Sequence, residues 1–261
     1  MRIAVCLSGQ ARTWKTAYKN ILYFFDFARI NEDIQVDYFI HTWCHNTWRN
    51  KKSPQWENWD EPATDLGDIP LVYNPVYFEA ENFSKSKLPL AWDGLLHSFM
   101  KTIHYKKMYE INNNFRYDVV VKSRLDTIFN PNQIFNFTVA PMTAYTTHPV
   151  TKMLREFNYN NFSDVMFYAD SPTMDIIGNT ARYSKKVYSL KILENQNRWN
   201  TISAPTFYGP GAMMYEYMIQ HSIYPTCGNV FDYAVVRPEC IDMDSIADFD
   251  KIREIGLSWY N

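Results

Sequence analysis

The first 43 residues limit the fold more than any other stretch of this chain. Residues 2–7 form a short apolar run containing Ile3, Val5 and Leu7, and it stops at Ser8-Gly9. Such a run reads as a buried strand followed by a turn. Apolar or aromatic residues then recur at positions 14, 17, 18, 21, 22, 25 and 28, so the spacing predicts a helix over 13–29. Residues 34–43, IQVDYFIHTW, alternate and then run apolar, as a second strand would. A strand–helix–strand opening joins two parallel strands by a crossover, which predicts an α/β fold with a mostly parallel central sheet flanked by helices.

The rest of the chain extends this pattern. Residues 44–70 hold three tryptophans, three prolines and many charges without a period, and are expected to form a long loop. A short strand is predicted at 75–80, and a long helix at 90–113 that stops at Asn112-Asn113-Asn114. The clearest strand runs from Tyr117 to Lys122, apolar enough at its centre for burial on both faces. A strand at 164–169 precedes a helix over 172–195, with Ser171 as N-cap and Pro172 at the first helical position. A helix at 209–221, a strand at 231–237 and a peripheral acidic tail after 240 complete the expectation. With 261 residues and no linker or repeat, one domain is expected over 1–261.

Composition narrows the function classes. A formal charge of −2 gives no bulk attraction to nucleic acid or to an anionic membrane. No run approaches the ~20 apolar residues of a membrane span. The N-terminus turns polar after seven residues and reads as a first strand, and no two of the four cysteines form a CxxC pair, so a cytoplasmic chain with reduced thiols is expected. Aromatic residues reach 17%, which suits a bulky core as well as surfaces that stack on sugars or bases.

Two segments carry candidate chemistry. Ser8-Gly9-Gln10-Ala11-Arg12 lies where the first strand hands over to the first helix, a place that favours an anion, and Arg12 adds a fork suited to phosphate. Neither GxGxxG nor GxxxxGK[ST] is present, so a standard dinucleotide site and a P-loop are not indicated. Lys122-Ser123-Arg124-Leu125-Asp126 follows the buried strand, at the edge where open α/β sheets bind ligands. Two cations and a carboxylate there meet a ligand, a metal such as Mg²⁺ or Mn²⁺, or each other as an internal Arg124–Asp126 pair. Asp164 is a candidate general base at a loop-to-strand junction, with Asp170, Glu216 and Asp232 as weaker alternatives. His41, Cys44 and His45 match no standard zinc spacing, and no second Cys/His pair lies nearby in sequence. Hydrolysis by a Ser/His/Asp triad is unsupported, as no Gly-x-Ser-x-Gly elbow occurs. Trp43 reads as core, while Trp48, Trp56 and Trp59 are candidates for a sugar-stacking lid.

Taken in order, Leu7-Ser8-Gly9-Gln10-Ala11-Arg12-Thr13, His41-Thr42-Trp43, Ser98 with Lys101, Phe115-Arg116-Tyr117-Asp118 leading to Arg124-Leu125-Asp126, and Ser163-Asp164 resemble a group of viral and bacterial glycosyltransferases with a GT-A-like fold. The resemblance covers about residues 1–170. It implies a donor nucleoside diphosphate sugar bound by Ser8, Gly9, Gln10, Arg12, His41, Lys101 and Lys122, and a glycan or other hydroxyl acceptor. It implies a nucleotide-sugar-binding half over 1–130 and an acceptor-side half over 131–261. By position Asp126 inherits the metal-ligand role, for Mn²⁺ or Mg²⁺, and a viral origin would place the protein in the host cytoplasm. Two departures stand out: Ala11 replaces a proline, and Arg124 stands where the family's acidic motif has its first acid. A cation there can stabilise the leaving diphosphate itself. Arg124 and Asp164 are therefore the expected catalytic residues. The competing expectations are a nucleotidyl- or sulfotransferase using the same anion site, and a non-catalytic nucleotide- or carbohydrate-binding module.

Overall fold

The computed structural model describes residues 1–26, 33–47, 60–62, 65–82, 91–133, 138–146, 162–183, 210–227, 233–236, 240 and 242–258. The opening is the expected βαβ unit: β1 (Arg2–Gly9), α1 (Trp14–Phe25) and β2 (Gln35–Trp43). β1 pairs in parallel with β2, from Arg2 opposite Gln35 to Gly9 opposite Thr42. Along β1, Ile3, Val5 and Leu7 enter one core, and Ala4 and Cys6 enter the other. A strand buried on both faces reads as a continuous apolar run, because neither side meets water.

Five further strands complete a seven-stranded sheet. They are β5 (Tyr77–Glu81), β6 (Val119–Ser123), β8 (Thr143–Thr146), β9 (Phe167–Ala169) and β10 (Tyr224–Cys227), and the order is β10-β8-β9-β6-β1-β2-β5. β5, β2, β1 and β6 run parallel. β9 runs antiparallel to both its neighbours, β6 and β8. Strands from both halves of the chain thus share one sheet.

Helices cover both faces. On one, α1 contributes Trp14, Ala17, Ile21, Phe24 and Phe25, and α2 (Asp68–Tyr73) adds Ile69 and Tyr73. On the other lie α3 (Ala91–Asn112), through Leu96, Phe99 and Ile103, then α4 (Ser171–Ile177) and α5 (Pro210–Gln220). Beneath the second face a buried charge network joins α3 to α4. Lys106 Nζ donates to Glu110 Oε2 at 3.1 Å, Ser171 Oγ at 2.7 Å and Asp175 Oδ1 at 2.7 Å. A buried ammonium with three acceptors is satisfied, and removing any one of them is costly.

The structure corrects several expected boundaries. α4 ends at Ile177, and its N-cap is Asp170, whose carboxylate accepts from Thr173 N–H at 3.0 Å, so Pro172 is not the first helical residue. Much of the predicted helix 172–195 lies outside the described residues. Within the expected loop 44–70 the backbone pairs β3 (His45–Thr47) with β4 (Asp60–Pro62), and α2 begins at Asp68. The tail after 240 is not peripheral. Cys240, Phe249 and Ile252 are buried in the first core, the last two on α6 (Phe249–Ser258). No helix among the described residues is long and apolar enough to cross a membrane.

Asn20 ties this tail to the rest. Its side chain accepts from Phe129 N–H at 2.7 Å and donates to Phe129 C=O at 2.8 Å, as a neighbouring strand would. It also reaches the Ser245 carbonyl at 3.1 Å. Phe129 ends β7 (Thr127–Phe129), which pairs with β11 (Tyr233–Val235) in a separate ribbon. Replacing Asn20 with Ala leaves buried backbone groups without partners, each costing about 1–3 kcal/mol. The expected loss for Asn20→Ala is about 2–4 kcal/mol, read by urea denaturation with an unchanged m-value.

Candidate functional site at the carboxyl edge of the sheet

Parallel strands bring their carboxyl ends to one edge. At that edge β1 ends in Ser8 and Gly9, β2 in His41-Thr42-Trp43, β5 in Glu79 and Glu81, and β6 in Lys122-Ser123. Among the described residues, four of the buried polar atoms without a hydrogen-bond partner belong to these strand ends: Ser8 Oγ, His41 Nε2, Thr42 Oγ1 and Ser123 Oγ. Most buried polar groups are paired in proteins, so such a cluster marks an edge built to meet something else.

Lys122 is the central cation. It is 0% exposed, and among the described residues its ammonium has one hydrogen bond, to the Val165 carbonyl at 3.4 Å. Burial pushes it down to about 8, Asp164 and Asp126 hold it up, and Arg124 opposes them. Asp164 comes to this edge because β9 runs backwards: Phe167 pairs with Lys122, so the chain enters β9 over the carboxyl end of β6. This is the rim position that the sequence suggests for Asp164. Asp170 instead caps α4, Glu216 lies on α5, and Asp232 lies outside the described residues.

Arg124 and Asp126 form the internal pair that sequence reading holds open. Arg124 donates through Nε to Asp126 Oδ1 at 2.7 Å and through NH2 to Oδ2 at 2.6 Å. Asp126 is 1% exposed. With both oxygens in the guanidinium fork and a full positive charge against them, a divalent ion at Asp126 would require that fork to open. The arrangement does not fit Asp126 as a ready metal ligand.

The β1–α1 turn holds Gly9 at a φ of +115°, a conformation that favours glycine, and no neighbour would crowd a Cβ there. Its N–H donates to Ser98 Oγ at 2.8 Å, so this amide is already engaged. Arg12 Nε donates to Gln10 Oε1, which folds the two side chains together. Lys101, on α3, binds Glu81 Oε1 at 2.5 Å and Glu79 Oε2 at 3.2 Å. Three of the four expected anion-site cations thus have separate partners: Gln10 for Arg12, a glutamate pair for Lys101, and Asp126 for Arg124.

His41 is a buried wall residue whose partners sequence reading missed. Nδ1 lies 2.8 Å from Ser98 Oγ, and Ser98 donates its proton to the His41 carbonyl at 3.0 Å. With that hydroxyl hydrogen on the carbonyl, the matching tautomer has the ring hydrogen on Nδ1 and the lone pair on Nε2. Burial pushes the imidazole down to about 4, so it is neutral. Nε2 faces Glu81 Oε2 at 3.7 Å, and His97 Nε2 is 3.1 Å from the same oxygen. Burial acts to raise Glu81, but the Lys101 hydrogen bond and nearby positive charge hold its carboxyl below the ordinary value. His41, Glu81 and His97 form a group able to hold a metal ion. Cys44, one of the neighbours that invite a zinc reading in sequence, does not belong to it, and the His45 side chain lies outside the described residues. Position 97 stands beside Ser98 on the helix crossing these strand ends, which is the one local signal that leads to it. Trp43 is buried as expected; Trp48, Trp56 and Trp59 lie outside the described residues.

No protein-family model matches this chain, and no curated protein matches it either.

The poorly partnered Lys122 makes a stability prediction. A lysine whose folded pKa is lowered destabilises the fold where both states are protonated, and the unfolded state binds more protons between the two values. With the folded value near 8 and the ordinary value 10.5, the cost below pH 8 is on the order of 3 kcal/mol. Lys122→Met should therefore be more stable than the parent at pH 7. Its advantage should shrink as pH rises from 8 toward 10.5, a trend read from paired denaturation curves.

Proposed function

We propose that this chain is a glycosyltransferase that moves a sugar from a nucleoside diphosphate sugar to a hydroxyl acceptor, with the donor diphosphate at the carboxyl edge of β1 and β6. The observation that carries this reading is Lys122: a fully buried ammonium with one long hydrogen bond. A buried cation left this bare is stabilised by an incoming anion more than a solvated one would be. Next to it in the chain are the orphaned Ser123 hydroxyl and Arg124, and the adjoining strand β1 ends in the orphaned Ser8 hydroxyl.

In this reading Lys122 and Arg124 take the charge that develops on the departing diphosphate, Arg124 swinging away from Asp126 to do so. Arg12 and Gln10 close the turn over the phosphates. Ser8 and His41 wall the donor pocket. Mn²⁺ or Mg²⁺ at Asp126 is then dispensable, because a guanidinium stands where the acidic motif would have its first carboxylate. Asp164 takes the acceptor proton in an inverting transfer; it needs hydrogen-bond reach of about 2.6–3.2 Å to the hydroxyl. The GT-A-like resemblance supports the same assignment, since the sheet is the mostly parallel α/β kind that it implies.

A thermal-shift series with nucleoside diphosphates, their sugars and adenosine phosphosulfate tests the donor class. A nucleoside diphosphate should raise Tm in the parent, in the presence of chelator as well as Mn²⁺, and Lys122→Met should abolish the shift. A response to adenosine phosphosulfate alone would favour a sulfotransferase. Binding without turnover on any acceptor would make the chain a binding module. Once turnover is found, Asp164→Asn should lower kcat by about 10²–10⁴-fold under saturating substrates, with inversion of the anomer read by NMR. A loss below about tenfold removes Asp164 from catalysis, and a retained anomer discards the inverting mechanism. Turnover of Asp126→Asn should be the same with and without chelator, because in this reading no ion is held at Asp126.

A further inference from the structure

We infer that His41, Glu81 and His97 form a three-ligand site for a zinc-type divalent ion, at the open ends of β2 and β5, with His41 in register with Ser8. The ligand atoms come from three elements. His41 is on β2, Glu81 ends β5, and His97 lies on α3, which crosses both. All three atoms lie within 4.8 Å of one another. The Glu81 Oε2 distances of 3.7 Å to His41 Nε2 and 3.1 Å to His97 Nε2 bracket the ~3.3 Å between ligands on a tetrahedral ion with bonds of about 2.0–2.1 Å.

A second observation points to a cation independently. His41 is 0% exposed, and its Nε2 has no hydrogen-bond partner. That nitrogen stands 3.7 Å from a carboxylate oxygen, beyond hydrogen-bond reach, and a cation between the two would partner both. The outer contacts are those that a metal-binding histidine needs. Ser98 Oγ holds Nδ1 at 2.8 Å, which sets the ring and presents Nε2. Lys101 takes the other Glu81 oxygen, Oε1, and leaves Oε2 for the ion. The competing arrangement is a hydrogen bond from His97 to Glu81, which satisfies those two side chains and still strands His41 Nε2.

The donor set selects the ion. Two imidazoles and one carboxylate suit Zn²⁺, Co²⁺ or Ni²⁺, whereas Mg²⁺ and Mn²⁺ prefer oxygen ligands. Three protein ligands leave the fourth tetrahedral position for water or for a ligand's oxygen. His97 and Glu81 keep 19% and 24% of their side chains exposed, so that position faces the accessible side of the edge. To bind the ion, His97 presents Nε2 as a lone pair and carries its ring hydrogen on Nδ1. This inference stands whether or not the chain transfers sugar.

The test is a titration of the full chain with Co²⁺ and no nucleotide, followed by visible absorption. One saturating equivalent with a d–d band of low-coordinate cobalt is expected, and Zn²⁺ should bleach it. His97→Ala and Glu81→Gln should each weaken binding more than the positioning variant Ser98→Ala, whose loss should be about 10–100-fold. His104→Ala, an exposed histidine on the same helix, should change nothing. Circular dichroism confirms that each variant is folded, and the two partly exposed ligands give independent readings should one variant fail to fold. Absence of a saturable band, a band that survives both His97→Ala and Glu81→Gln, or an equal loss with His104→Ala would overturn the site.

Discussion

The candidate chemistry at this edge depends on the burial of β1 on both faces. Ile3, Val5 and Leu7 need cover on one side and Ala4 and Cys6 on the other, so helices must lie above and below the sheet. Once both faces are covered, polar side chains can serve a ligand only at the strand ends. The two ends are not alike. At the amino edge the backbone is closed by its own contacts: Asp118 accepts from Arg2 N–H at 2.7 Å, and Asp118 N–H returns to the Arg2 carbonyl at 2.9 Å. At the carboxyl edge the strands finish in Ser8, His41, Thr42 and Ser123, whose side chains carry orphaned atoms. That asymmetry makes the carboxyl edge the candidate ligand edge.

α3 connects the two kinds of buried charge. Near its start, Ser98 binds Gly9 N–H and the His41 carbonyl, stitching β1 to β2 at the ligand edge. Near its end, Lys106 and Glu110 lock α4 through Ser171 and Asp175. Lys106 and Lys122 are both 0% exposed, yet their surroundings differ sharply. Lys106 has three oxygen partners near 3 Å; Lys122 has one at 3.4 Å. The first cation holds helices together. The second is in tension with stability, which is where functional groups are commonly found.

Much of this was legible in sequence because burial on two faces leaves a direct imprint. The βαβ opening, the Val119–Ser123 strand and the long helix through Lys101 all carry continuous or helical apolar spacing, and the strand ends at Ser8, His41 and Lys122 follow from them. The misses have physical causes. Thr127–Phe129 and Thr143–Thr146 are too short to show a period. The tail reads as peripheral because Phe249 and Ile252 are apolar residues in an acidic setting, and their burial depends on packing against β11, which spacing within the tail does not show. Glu81 and His97 were invisible as a pair with His41, since only the crossing of α3 over β2 and β5 brings them together. Arg124 and Asp126 were placed correctly at a strand end, but whether two such charges meet each other or a ligand depends on rotamers that spacing does not encode.

The reversed strand β9 has a mechanical consequence. It pairs with β6 over only three residues, so its alignment is set less by backbone bonds than by which rings fit where. Phe167 and Ala169 belong to one core and Tyr168 to the other, so sliding the strand by one position would turn every ring toward the wrong layer. The same slide would carry the Val165 carbonyl away from the Lys122 ammonium and move Asp164 along the rim. Three aromatic and small residues deep in the protein therefore act as a vernier for the polar groups at its surface: the fit of Phe167 among its neighbours sets where Asp164 stands.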